Sequence, residues 1–283
     1  MISRAAAAVT ALALMLALPP SLGAQSVGGL DLESSDAPLE IVAEEGIEWR
    51  RDEKVYIARG NARASRGDLS VSAEVLMAHY REAAEGQTDV YRIEATGDVR
   101  LASQDSVVYG DRAVYDVDKA VLVVTGRNLR VETQKAVITA RDSLEYWDAQ
   151  RVVVARGDAV AVEGDRRVEA DRLTGYLRRD GQPGADRGGL YQVEAEGDVV
   201  LTTATEVVRA EKAVYNLDQE LATLTGGVKI TRGENQLNGD YAEVNLKTGV
   251  SRLMGNPSAT RDGGSGRVHT LIVPDKKPEL GTQ

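Results

Sequence analysis

The residue types able to do chemistry are few in this chain, and their spacing does not favour it. The 283 residues contain no Cys and two His, His79 and His269. Disulfides, thiol nucleophiles, Cys-ligated zinc and iron–sulfur clusters are excluded, and so is a His-rich metal site. Carboxylates are plentiful, 44 against 34 Lys and Arg for a net charge of -10. No activated nucleophile or aromatic-lined cleft is legible around them, so catalysis has no footing and no cofactor is implied. Asp-rich turns could hold Ca2+, but the EF-hand spacing is missing. The acidic balance excludes broad nucleic-acid binding, which needs a basic footprint. Gly-Asp and Gly-Asn pairs look like phosphate-cradling loops. They recur at structural spacing with no helix start after them, and the expectation is hairpin turns. The dipeptides Arg50-Arg51, Arg166-Arg167 and Arg178-Arg179 read as a solvated face, or as local contacts to phosphate.

The elements that would position these residues come from repeats. Gly60, Gly97, Gly126, Gly157, Gly197, Gly226 and Gly255 each follow a strand-like run, at spacings of 37, 29, 31, 40, 29 and 29. A period of about 100 residues sits on top. Ala113-Val114-Tyr115-Asp116-Val117-Asp118 returns as Ala213-Val214-Tyr215-Asn216-Leu217-Asp218. Tyr56, Ala58, Ala62 and Ala64 alternate with polar neighbours, as do Tyr91, Ile93 and Ala95. Period-2 alternation with Gly punctuation predicts antiparallel strands with one wet face and almost no helix. The polar inserts Ala83 to Asp89 and Arg179 to Gly189 read as longer hairpin loops. The fold class is all-β, a duplicated antiparallel unit rolled into a sandwich or jelly roll. A parallel β-helix is the competing architecture, disfavoured because its coils need one short consistent repeat.

The N-terminus reads differently. Arg4 precedes an apolar run from Ala5 to Leu18, then Pro19-Pro20, then small residues ending at Ala24. This is the pattern of a secretory signal peptide, residues 1–24, cut near Ala24. A linker at 25–37, a first domain at 38–150, a second at 151–256 and a tail at 257–283 complete the expected division. Export without cysteines fits a periplasm.

Three groups of residues resemble one family. Pro38-Leu39-Glu40-Ile41 leads through Glu44-Glu45 to Val55-Tyr56-Ile57-Ala58-Arg59-Gly60-Asn61-Ala62. Ala73-Glu74 is mirrored at Ala170-Asp171. The tail runs Gly266-Arg267-Val268-His269-Thr270-Leu271-Ile272-Val273-Pro274. Together they resemble the OstA-like domain of the LptA-type lipopolysaccharide-transport proteins, here in two tandem copies. The resemblance implies open β-jelly rolls with an apolar groove for lipid acyl chains, and a periplasmic bridge carrying lipopolysaccharide or a related glycolipid. It also implies head-to-tail homo-oligomers, with an LptC-like partner at the inner membrane and an LptD-like partner at the outer. A structural or adhesive β-repeat protein without lipid cargo is the rival reading.

On that resemblance Leu39 and Ile41 line the N-terminal end of the groove. Tyr56, Ala58, Tyr91, Ile93, Tyr115, Val117, Tyr191, Val193, Tyr215 and Leu217 carry the same inward parity along the strands. Each tyrosine could equally be strand packing, which the residue type favours. Arg267, Val268, Leu271 and Val273 are expected on an edge strand that recruits a neighbour.

Overall fold

The computed structural model describes residues 40–82, 88–178, 189–245, 247–248, 250–255 and 268–271. The expected signal peptide and linker, Leu39, Arg267, Val273 and most of both polar inserts lie outside these residues. The described chain is β throughout, and every strand pairing is antiparallel, which disposes of a parallel β-helix.

β1 (Glu40–Val42) and β2 (Gly46–Arg50) pair with opposite halves of β3 (Val55–Arg66). β4 (Leu69–Glu82), β5 (Thr88–Ala102) and β6 (Ser106–Asp116) continue as a meander. β7 (Val121–Thr125) and β8 (Leu129–Thr133) are halves of one interrupted strand on β6. β9 (Ala136–Ala140) and β10 (Ser143–Trp147) are halves of the next, and both pair with β11 (Val152–Glu163). The meander runs on through β12 (Arg166–Leu177), β13 (Leu190–Thr202), β14 (Val207–Asn216), β15 (Leu221–Arg232) and β16 (Asn235–Asn245). β16 carries β17 (Val250–Met254) on one half and β18 (His269–Leu271) on the other. With each interrupted strand counted once, the eighteen segments make fourteen layers, which span about 60 Å at the usual strand spacing. The division expected after residue 150 falls in the turn between β10 and β11, and the ladder crosses it unbroken.

Gly67-Asp68 and Gly164-Asp165 are the expected two-residue hairpin turns, between Arg66 and Leu69 and between Glu163 and Arg166, but Gly60-Asn61, Gly97-Asp98, Gly157-Asp158 and Gly197-Asp198 are not. They sit in mid-strand, where the register slips between Arg59 and Ala62, Thr96 and Val99, Arg156 and Ala159, and Glu196 and Val199. Gly60 has φ 76°, and the following Asn61 has 43°; Asp98, Asp158 and Asp198 repeat the value near 44°. A bulge with two left-handed residues and a primed hairpin turn need the same residue types, so the sequence signal could not tell them apart. Each bulge bends its strand. The halves that pair with β2, β7, β10 and β17 form one wall, and those that pair with β1, β8, β9 and β18 form a second.

The neighbouring strand also crowds the bend. A Cβ on Gly60 would lie 2.7 Å from Glu45 Cγ. A Gly60→Ala variant is expected to lose about 1–3 kcal/mol from strain alone. Urea unfolding should show a lower midpoint with unchanged slope; an unchanged midpoint would remove this bend from the determinants of the fold. Alanines flank the crease on its inner side. Ala58 and Ala62 do so in β3, Ala155 and Ala159 in β11, with Ala62 and Ala159 wholly covered. Two walls converging at a crease leave room for a methyl group and little more, which accounts for a core built without Phe.

Candidate functional site

The inner surface follows from the register. On the first wall, Ile47, Ala58, Leu76, Ala95, Ala113 and Val124 stand opposite one another in turn. The row continues through Leu144, Ala155, Leu173, Ala195, Ala213 and Leu224 to Ala242 and Leu253. Two residues along each strand, a second row includes Trp49, Tyr56, Ala78, Ile93, Tyr115 and Leu122. It goes on through Tyr146, Val153, Gly175, Val193, Tyr215 and Ala222. On the second wall the row is Ile41, Ala64, Val71, Leu101, Val108 and Val131, then Ile138, Ala161, Val168, Leu201, Val208 and Ile230, then Leu237. No charged residue interrupts any of the three. Residues of both walls and both sequence repeats join in one hydrophobic cluster.

The rows differ in accessibility along the molecule. Val208, Ala222 and Val244, toward the C-terminal end, are 0% exposed, so the walls meet there. Toward the N-terminal end Ile93 is 37%, Trp49 49% and Ile47 55% exposed. Trp49 stacks on Tyr56 at 5.5 Å, and its indole N–H donates to the Tyr80 hydroxyl at 2.7 Å. At mid-length the first wall is closed off below its second row by a polar network. The Tyr146 hydroxyl donates to Asp148 at 2.7 Å and accepts from Arg151 at 3.0 Å. Burial, then the Asp148 hydrogen bond, push the Tyr146 hydroxyl well above its ordinary pKa.

The outer face carries an ordered row of charges set among apolar residues such as Ile57, Met77, Val114 and Val154. Glu48, Glu94, Glu145, Glu194 and Glu243 occupy one row at every third layer. Each faces a cation: Arg50 at 2.9 Å, Arg112 at 2.6 Å, Arg156 at 2.7 Å, Lys212 at 3.3 Å and Arg252 at 3.8 Å. Burial alone would raise the Glu94 carboxyl. The Arg112 hydrogen bond and the charges of Arg92, Arg112 and His79 outweigh it and hold the group below its usual range. Such pairs contribute about 0–1 kcal/mol each and mainly fix register. Residue separations of 46, 51, 49 and 49 between these glutamates were the available sequence signal. A shallow depression of about 280 Å3 lined by Trp147, Val152, Tyr176 and Arg156 also lies on this outer face, away from the apolar rows.

The expected lining residues do not share one environment. Ala58, Tyr115 and Tyr215 are buried in the central cluster, and Val117 and Leu217 pack against it. Tyr56, Ile93 and Val193 stand in the second row, and Ile41 in the row of the second wall. Tyr91 and Tyr191 lie elsewhere. The register breaks beside each of them, between His79 and Tyr80 and between Tyr176 and Leu177. The Tyr91 ring consequently sits 6.3 Å from His79, and the Tyr191 ring 6.2 Å from Tyr176, both outer-row residues. Val268 and Leu271 are exposed on and beside β18, which pairs on one side with β16.

A bent antiparallel meander with a charged exterior and an unbroken apolar interior is the LptA-like β-jelly-roll fold. The chain belongs to the LptA/(LptD N-terminal domain) LPS transport protein family, whose profile matches residues 40–142 and, in tandem, 137–250. Among solved structures, the crystal structure of LptH from Pseudomonas aeruginosa aligns with TM-score 0.40 and 19% identity, over 50% of this chain and 96% of LptH. It is described as the LptA homologous periplasmic component of the conserved lipopolysaccharide transport device. No curated protein matches the chain.

Proposed function

We propose that this chain is a periplasmic bridge protein that carries the acyl chains of lipopolysaccharide, or of a related glycolipid, from the inner toward the outer membrane. The observation that carries the reading is the trio of rows, each apolar across at least twelve of the fourteen layers and free of charged residues. Taking a chain of a dozen carbons through water costs roughly 10 kcal/mol at ~0.8 kcal/mol per CH2. An apolar wall lowers that barrier where it is open, toward the N-terminal end of the rows, and two family units in series extend the apolar surface. The wall does its work by burial, and no catalytic role is assigned to any residue.

Head-to-tail association extends the same surface. The first edge strand presents Ile47 and Trp49 with Glu40 and Glu48, and the last presents Met254 and Leu271 with Arg252 and His269. Apolar residues on two open strand edges suit pairing of one copy's end with the next copy's start. An LptC-like and an LptD-like protein would take the same edges at the two membranes. Mass spectrometry of the gently purified mature protein tests the reading. Acylated glycolipid should co-purify with it; lipid-free protein from cells that make such lipids would favour a structural β-repeat protein instead.

A further inference from the structure

The depression on the outer face lies at the start of the second repeat, and the register accounts for its shape. Trp147 of β10, Val152 of β11 and Tyr176 of β12 stand opposite one another across three adjoining strands. The two aromatic residues are therefore two strand spacings apart, about 9.5 Å, with a small side chain between them. Val152 is the floor and the rings are two sides. Further up the same strands Arg156 and Arg172 face each other and bound the far side. The Arg156 side chain is 40% exposed and that of Arg172 43%, so the depression is open to solvent. In the first repeat the matching row reads Arg50, Val55 and His79. The aromatic pair belongs to the second repeat alone, and the Tyr191 ring, 6.2 Å from Tyr176, extends it.

The charges around the depression cancel. Arg156 pairs with Glu145 at 2.7 Å, Arg172 with Glu196, and Lys212 lies 3.3 Å from Glu194. Three cations meet three carboxylates, so a charged ligand gains no net attraction there. Hydrogen-bonding capacity is nevertheless left over. Arg156 donates to Glu145 through Nε and Nη2, and Arg172 to Glu196 through Nη2. The Nη1 of each has no partner among the described residues, and neither does the Thr174 hydroxyl between them and the rings. The Trp147 indole N–H donates to Glu145 at 3.0 Å, which fixes that ring in advance of any ligand.

We propose that this depression binds a neutral pyranose ring of a glycan. Such a ring has apolar C–H faces to lay against Trp147 and Tyr176, and hydroxyls to accept from the two Nη1 groups. Its lack of charge matches a site whose own charges are already balanced. The volume of about 280 Å3 is just below that of pockets for drug-sized ligands, so one ring is held while its neighbours in the chain stay in solvent. The site faces away from the acyl-chain rows and does not rest on the transport reading. A free glycan and the sugar part of a glycolipid offer the same chemistry, and the test separates them.

The test is calorimetry on the whole mature protein with three probes: β-1,4-linked tetramers of glucose and of N-acetylglucosamine, and an acylated disaccharide. At least one probe should bind. Trp147→Arg and Tyr176→His install the residues found at the matching places of the first repeat. Each should weaken that binding about tenfold, the worth of one aromatic contact, with the thermal midpoint and the co-purified lipid unchanged. Arg172→Gln, which leaves Glu196 paired with Lys212, is the second variant should a ring replacement lower the midpoint, and it should weaken the same probe severalfold. Weakening of a tetramer assigns the site to a free glycan; weakening of the acylated disaccharide alone assigns it to the sugar of a glycolipid. No binding of any probe by the unaltered protein, or binding undiminished in all three variants, would overturn the site and leave the transport reading standing.

Discussion

An Ile93→Asp variant should fold, accumulate at normal levels and lose its lipid. Ile93 stands in the second apolar row between Ala78 and Tyr115, yet it is open to solvent. In the empty protein the new carboxylate stays hydrated, so the folding cost is small, within about 0.5 kcal/mol for an exposed position. An acyl chain lying across it must strip that water, at a cost of roughly 2–4 kcal/mol, or about a hundredfold in affinity. Thr96→Asp on the same strand is the matched control, because Thr96 is exposed on the outer face opposite Arg112. Lipid content per protein, measured on both variants, should fall only for Ile93→Asp. Equal lipid in the two would mean that chains do not pass the N-terminal inner face.

The second large effect is on folding. Tyr215 is 7% exposed and packs in the inner row between Val193 and Ala222. Burial, together with the Glu220 charge, pushes its hydroxyl up to about 12, against the opposing pull of Arg166. Tyr215→Asp empties the ring's volume and leaves a carboxylate in its place. Large-to-small replacement alone costs about 3–5 kcal/mol, a large share of the 5–15 kcal/mol typical of a domain. Chemical unfolding should show a collapsed midpoint for Tyr215→Asp and for Tyr115→Asp at the equivalent site, while Tyr215→Phe stays close to the unaltered protein. A stable Tyr215→Asp would mean that the C-terminal walls do not pack as described.

Strand identity, antiparallel order and the two copies could be read from alternation and from the 100-residue echo around Tyr115 and Tyr215. Inward parity held wherever the register is regular, as at Ala58, Ile93 and Val193. Tyr91 and Tyr191 are each the extra, unpaired residue at a register break, which turns the ring to the other face, and parity counting cannot see an insertion. The Gly-Asp pairs carried a true signal for left-handed backbone, but the same residues serve a hairpin and a mid-strand bend. The burial of Glu206 was illegible for another reason: a glutamate just after a turn looks solvated in the sequence.

Photo-crosslinking in cells tests the account most directly. Crosslinkers at Ile93 and Ile41, both open to solvent, sample the inner rows of the two walls; crosslinkers at Thr96 and Thr223 sample the outer face of the same sheet. Lipid adducts are expected from both inner positions and from neither outer one. Equal yields from the two faces, or adducts confined to Thr96 and Thr223, would contradict an acyl-chain path along the inner wall.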